Sequence, residues 1–338
     1  MEGKISRLFI IIFVLSSCCQ CGKYQGAEKD TTRNTPDVLI ISSDSSNHWK
    51  RKADLGGVGR YSAVGFSIGD KGYILTGKPG HYSTDLWEYD PSFDTWTRKA
   101  DLPGTARDRA VGFSIGNKGY IGTGAAGFFH YLKDFWEYDP ASDRWARKAD
   151  FGGAARDHAV GFSIGNKGYI GTGCTGFYSY QKDFWEYDPA GDSWTRKADL
   201  GGVKMARAVG FSIDNKGYIG TGAGGFSSYK DFWEYNPINN AWTRKADFGG
   251  TERSNAVGFS IGTKGYIGTG YSYKKDFWEY DPSVNSWTRK ADFGGTPRNG
   301  AVGFSIGIKG YIGTGTDKTD NTHNFGHTNT KDFWEFRP

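Results

Sequence analysis

Cysteine is nearly absent from this chain. Of the four in 338 residues, Cys18, Cys19 and Cys21 sit within the first 21 positions, which leaves Cys174 alone in the rest. A framework of internal disulfides is therefore excluded, and stability must come from packing. Histidine is scarce too, with six copies, and methionine occurs twice. No Ser-His-Asp order, phosphate-binding loop or paired-carboxylate signature stands out. Long apolar runs are missing: the run over 8–15 is too short to span a bilayer. Charge is nearly balanced, with 42 Lys and Arg against 37 Asp and Glu for a net +5. The basic residues are spread evenly along the chain, which argues against a nucleic-acid-binding stripe.

What the chain has instead is repetition. One tryptophan opens each W-x-R-K segment, at Trp49, Trp96, Trp145, Trp194, Trp242 and Trp287. A second lies in each [FL]-W-E-[YF] segment, at Trp87, Trp136, Trp185, Trp233, Trp278 and Trp334. The two sets use all 12 tryptophans, so none is left for an unrelated domain. A spacing of 45–49 residues is too long for the common helical repeats and suits a four-stranded propeller blade.

The second unit shows the pattern. Run A, 110–115, alternates bulky Val111, Phe113 and Ile115 with small Ala110, Gly112 and Ser114. A tight turn at 116–119 leads to run B, 120–123, and a loop at 125–133 leads to run C, 134–139. A second turn at 140–143 precedes run D, where Trp145 stands among charged residues, as an exposed edge strand requires. All four runs have strand length, and 51 glycines would spoil helices while suiting many tight turns. Run A is expected innermost and run D outermost, with the bulky face of each sheet against the slim face of the next.

Run A begins at Ala63, Ala110, Ala159, Ala208, Ala256 and Ala301, giving six units. The last unit lacks run D, and an isolated run D, 49–54, precedes the first unit. The expectation is an all-β, six-bladed propeller over 45–338, closed by the N-terminal strand completing the sixth blade. Ahead of it, Lys4, Arg7 and the short apolar run make residues 1–21 a secretory signal. Leu15-Ser16-Ser17-Cys18 resembles a bacterial lipobox, which implies lipidation at Cys18 and an exported, envelope-anchored protein touching the membrane only through that lipid. Residues 22–44 read as a polar tether, with a short apolar run at 37–43 that either adds a strand or packs on the sixth blade.

Gly122-Thr123-Gly124, Tyr138, Asp139-Pro140 and Trp145 together resemble the kelch repeat, with Gly-Thr-Gly in place of that family's adjacent glycine pair. The resemblance covers all six units and implies the propeller fold. It leaves function open among glycan binders, protein-interaction modules and a few enzymes.

The B–C loops (78–84, 125–133, 174–182, 223–230, 271–275 and 316–331) and the D–A connections should emerge on one face. The loops vary and carry Phe128, His130, Tyr131, Tyr178, Tyr180, Tyr229 and Tyr273 among other rings. An arginine precedes run A by three residues at Arg60, Arg107, Arg156, Arg253 and Arg298; the fourth unit has Met205 there, with Arg207 displaced by two. Such arginines could form a cationic ring for a carboxylate ligand, or pair with the aspartates that begin run C, Asp85, Asp134, Asp183, Asp231, Asp276 and Asp332, to lock the blades. The kelch resemblance adds two enzymatic possibilities. Radical-copper oxidation needs converging His, Tyr and Cys, for which His81, His130, His158, His323, His327 and Cys174 lie on the right face; His323 and His327 have metal-compatible spacing. Some exported six-bladed kelch proteins interconvert anomers of sialic acid. The reading favoured by the sequence is a monomeric, exported binding propeller without cofactor, taking a glycan or a protein on its B–C/D–A face, with the acidic-sugar mutarotase or epimerase as the alternative and the copper oxidase behind it.

Overall fold

A computed structural model describes residues 46–318 and 327–338, and the leader, the tether, Cys18 and His323 lie outside them. The described chain forms six four-stranded antiparallel sheets, with two short accessory sheets on the loops. Blade two is representative, with strands Val111–Ile115, Lys118–Gly122, Phe135–Asp139 and Arg144–Lys148 from axis to rim. The turn between its first two strands is two residues long, and Gly116 takes φ 57° at the first position, the requirement that makes glycine the usual choice there. Blade four puts Asp214 at that corner with φ 51°.

Blade six is assembled from both ends of the chain. His48–Lys52 pairs antiparallel with Phe333–Arg337, setting Trp49 opposite Phe336 and Arg51 opposite Trp334. Each innermost strand packs against two others, in an unbroken circuit through all six blades.

The alternation in run A explains the stacking. A Cβ added to Gly112 would collide with Val64 of the blade before it, and one added to Gly119 would lie 2.5 Å from the Phe66 ring. Gly161 and Gly168 stand in the same relation to Val111 and Phe113, and Gly65 and Gly72 close the circuit against Val302 and Phe304 of blade six. Six buried clusters result, each built between neighbouring blades: Val64, Phe66 and Ile68 of blade one pack with Ile121 and Tyr138 of blade two. The rim is stitched as well. Each outermost tryptophan donates its indole N–H to an alanine carbonyl of the preceding blade at 2.9–3.2 Å, from Trp96 to Ala53 round to Trp49 to Ala291.

Trp49 thus carries the closure, since it also meets the rings of Phe277, Phe293 and Phe336 at 4.9–5.0 Å. Trp49→Ala is expected to cost about 3 kcal/mol of stability. A chain beginning at Leu55 should melt far below the parent, because the Phe333–Arg337 edge is left unpaired. Equal thermal melts of the truncated and parent proteins would contradict closure by the N-terminal strand.

Candidate functional site

The five arginines expected near the axis are the largest fully buried side chains among the described residues. Each makes a bidentate ion pair with the aspartate that opens the third strand of its own blade: Arg60 with Asp85, Arg107 with Asp134, Arg156 with Asp183, Arg253 with Asp276 and Arg298 with Asp332. The Nη–Oδ distances are 2.5–2.8 Å. The Gly-Thr-Gly turn supplies a third acceptor. Thr123 takes φ 58° and Gly124 φ 93°, and the Thr123 carbonyl accepts from Arg107 Nη1 at 3.1 Å. The backbone of the same arginine reaches the other way, with its N–H on Ser83 O and its carbonyl accepting from Gly77 of blade one. Every such arginine therefore rivets one blade to the next. The open cationic ring is corrected accordingly: none of the five lines a cavity, because four of the five guanidinium hydrogens of Arg107 are already committed to protein acceptors.

The cavity on this face is built by a different position, the residue immediately before run A. Ser62, Arg109, His158, Arg207, Asn255 and Gly300 all hold φ between 50° and 62°. Each donates its backbone N–H to the carbonyl of the one before, Arg109 to Ser62, His158 to Arg109, and so on until Ser62 donates to Gly300. Six bonds of 2.9–3.3 Å thus close a ring about the axis. A left-handed conformation is costly for residues other than glycine, and here the ring holds it in place. Above it lies a cavity of about 700 Å³. Its wall is completed by Tyr61, Lys78, Tyr82, Tyr131, Cys174, Tyr178 and Tyr180, with Phe128, Phe129, Phe177 and Tyr271 at the mouth.

Charge is concentrated on one side of this cavity. Arg109 bridges two carboxylates, with Nε 2.9 Å from Asp108 Oδ1 and Nη1 3.0 Å from Asp157 Oδ2. His158 Nδ1 lies 3.2 Å from Asp157 Oδ1, and only 12% of its side chain is exposed. Burial lowers the His158 pKa below the ordinary imidazole value, against the opposing hydrogen bond and charge of Asp157, and Arg207 and Arg109 push it down further. A neutral ring donating Nδ1–H to Asp157 carries its lone pair on Nε2. Burial also raises the Tyr131 hydroxyl. Arg207 is exposed and has no ion pair among the described residues, so it is the guanidinium of this cavity left for an outside anion.

Of the loop residues expected to bind, the structure brings Phe128, Tyr131, Tyr178 and Tyr180 to the cavity and leaves three out. His130 points to solvent. Tyr229 turns onto its own loop, its hydroxyl 3.3 Å from Gly224 O, and Tyr273 bonds His327 Nδ1 at 2.6 Å. Phe128, Phe177 and Phe226 occupy equivalent loop tips and are 72–96% exposed, although Phe128 abuts Phe129 and Tyr178 abuts both Phe177 and Phe226. Cys174 is a free thiol 2.7 Å from Gly176 O. Among the described residues no three His, Cys, Asp or Glu side chains converge on a point where a metal could sit.

The ion pairs set the acid limit of the fold. Burial alone would raise the Asp85 carboxyl, but Arg60, Ser83 and Trp87 outweigh it and hold the pKa at about 2; Asp134, Asp183, Asp276 and Asp332 are lowered in the same manner. A carboxyl lowered by folding adds stability above its unfolded value of about 3.9 and loses it as pH falls towards the folded value. Arg107→Met, which copies blade four, should cost about 3 kcal/mol at neutral pH by leaving Asp134 unpaired. Its deficit against the parent should narrow between pH 5 and pH 2, which melts across that range will measure.

No protein-family model and no curated protein matches the chain. Among solved structures it is similar to YjhT, a β-propeller, with a TM-score of 0.69 and 15% identity over 83% of this chain and 96% of that one. That likeness shows the fold: this chain is a six-bladed β-propeller.

Proposed function

We propose that this chain is an exported, lipid-anchored propeller of the kelch type whose axial cavity binds a small acidic carbohydrate. The observation that carries the reading is the unpaired Arg207 guanidinium in a concave site walled by tyrosines. A volume of about 700 Å³ is in the range of sites that enclose a small ligand. Arginine offers a planar fork to a carboxylate, and aromatic rings offer flat faces to a sugar ring. Arg109 is spoken for by Asp108 and Asp157, so it shapes the floor and Arg207 meets the anion. Lys78, poised 5.3 Å from the Tyr82 ring centre, adds a second positive charge on the opposite wall.

Interconversion of sugar anomers is a second reading, favoured by the Asp157–His158 pair. A neutral imidazole oriented by a carboxylate, beside an arginine that would fix the substrate, is arranged to move a proton at the anomeric hydroxyl.

Sialic and uronic acids should raise the melting temperature saturably, and their neutral counterparts should not. Arg207→Ala should weaken binding about tenfold or more, while Arg107→Ala should lower stability and leave affinity unchanged. Loss of affinity in the second variant and not the first would return the ligand to the riveting arginines. No response to any sugar acid would overturn the reading. Anomer exchange followed by NMR separates the two functions: acceleration that disappears in His158→Ala with binding retained marks an enzyme, and exchange at the buffer rate marks a binding protein.

A further inference from the structure

An arc of exposed rings stands over one side of the axial cavity. Phe128 and Phe129 come from blade two, Phe177 and Tyr178 from blade three and Phe226 from blade four, each set following a glycine in its loop. Tyr178 connects the arc to the cavity, because it lines the wall and meets the Phe226 ring at 5.6 Å. The phenylalanines that line the cavity all belong to this arc; across the mouth, Tyr61 and Tyr82 are half-buried and Lys78 adds a charge. A cavity of about 700 Å³ suits a ligand of drug size, more than a single sugar ring fills.

The tips are held in shape. Phe129 and Tyr178 occupy the same station of successive blades with φ of 62° and 58°, a conformation that is costly for aromatic residues. The Ala126 N–H to His130 O and the Thr175 N–H to Ser179 O, both 3.0 Å, close the two loops around them. Strain maintained to keep rings in solvent points to a use for those rings outside the fold. In the loop of blade three the polar side chains bond one another: Gln181 Nε2 donates to Thr175 Oγ1 at 2.9 Å, and the Thr175 and Ser179 hydroxyls meet at 3.0 Å. The surface left to a ligand there is apolar. It suits an aryl or alkyl group and would leave the hydroxyls of a second sugar without partners.

We propose that the ligand of this cavity carries an apolar group beside its acid, with the acid on Arg207 and the apolar group against the arc. The two subsites adjoin through the backbone. Met205 and Ala206, immediately before Arg207, pair with Gln181 and Ala223 of the loops that carry Phe177 and Phe226. The ligand class is an acidic sugar in glycosidic linkage to an aryl or alkyl group. This inference rests on the acidic-sugar reading and adds what the sugar is attached to.

The test titrates the full chain calorimetrically with the methyl and para-nitrophenyl glycosides of glucuronic acid, and with the same pair for sialic acid. The aryl glycoside should bind about tenfold more tightly than the methyl one. In a double variant, Phe177→Ser with Phe226→Ser, that ratio should fall towards one. Phe128→Ser lowers it from the other end of the arc and keeps the test valid if the double variant fails to fold. Phe93→Ser removes a phenylalanine that is 76% exposed on a turn of blade one, away from the cavity, and should keep the full ratio. Equal affinity for methyl and aryl glycosides in the parent would overturn this inference alone and leave the arc to a protein or membrane surface. Failure of all four compounds to bind would overturn the acidic-sugar reading with it. An aryl preference that survives in both the double variant and Phe128→Ser would show that the apolar group sits elsewhere, and the arc would lose its role.

Discussion

The structure depends on side chains that are not there. On the slim face of each blade, glycines at the first and second strands let the preceding blade's Val and Phe come into van der Waals contact with backbone. The fit has one direction only, bulky against slim, so every blade imposes the same rotation on the next. The hydrophobic clusters form between blades and not within them, and a single blade has no core to itself. Cooperativity of the ring follows from that arrangement. The tryptophan stitches at the rim and the arginine rivets on the loop face then act on blades already in register.

Those rivets divide the loop face into two classes of cation. Arg107 and its equivalents are structural, buried and neutralised by carboxylates on the same blade. Arg109 and Arg207 stand at the next position but one, where the chain turns in towards the axis, and their side chains reach the cavity. Two residues of displacement separate a bolt from a recognition group. Blade four makes the separation visible, because it gives up the bolt at Met205 and still presents Arg207 to the cavity.

Much of this was legible in the sequence. The tryptophan spacing, the small-large alternation over 110–115 and the orphan run at 49–54 are enough to put that run on the edge of the sixth blade, where the structure pairs His48–Lys52 with Phe333–Arg337. The fate of the arginines was harder to read. Spacing put them near the axis but could not choose between ligand and aspartate, since each partner lies 23–34 residues on, across a loop of variable length. In the sequence the loop-face histidines look alike, whereas His158 differs from His130 through its burial, which only the fold creates, and through its contact with Asp157. Tyr229 stands one residue beyond the station of Tyr131 and Tyr180: its backbone pairs with Gly222 and Arg253 as Leu132 pairs with Gly124 and Arg156, and Ser228 takes the tyrosine's place opposite Ala223. The overlooked signal was simple. The repeats agree almost letter for letter around run A, yet the residue before it reads Ser, Arg, His, Arg, Asn and Gly in turn.

That disagreement has a meaning in the circle of six main-chain bonds around the axis. Peptide groups alone close the circle, so its closure asks nothing of the side chains at the six stations beyond tolerance of a left-handed turn. Chemistry at the bottom of the funnel can therefore be rewritten one residue at a time while the blades stay as they are. Selection, or a protein engineer, has six dials there, of which Arg109 and His158 turn together through the buried Asp157 they share.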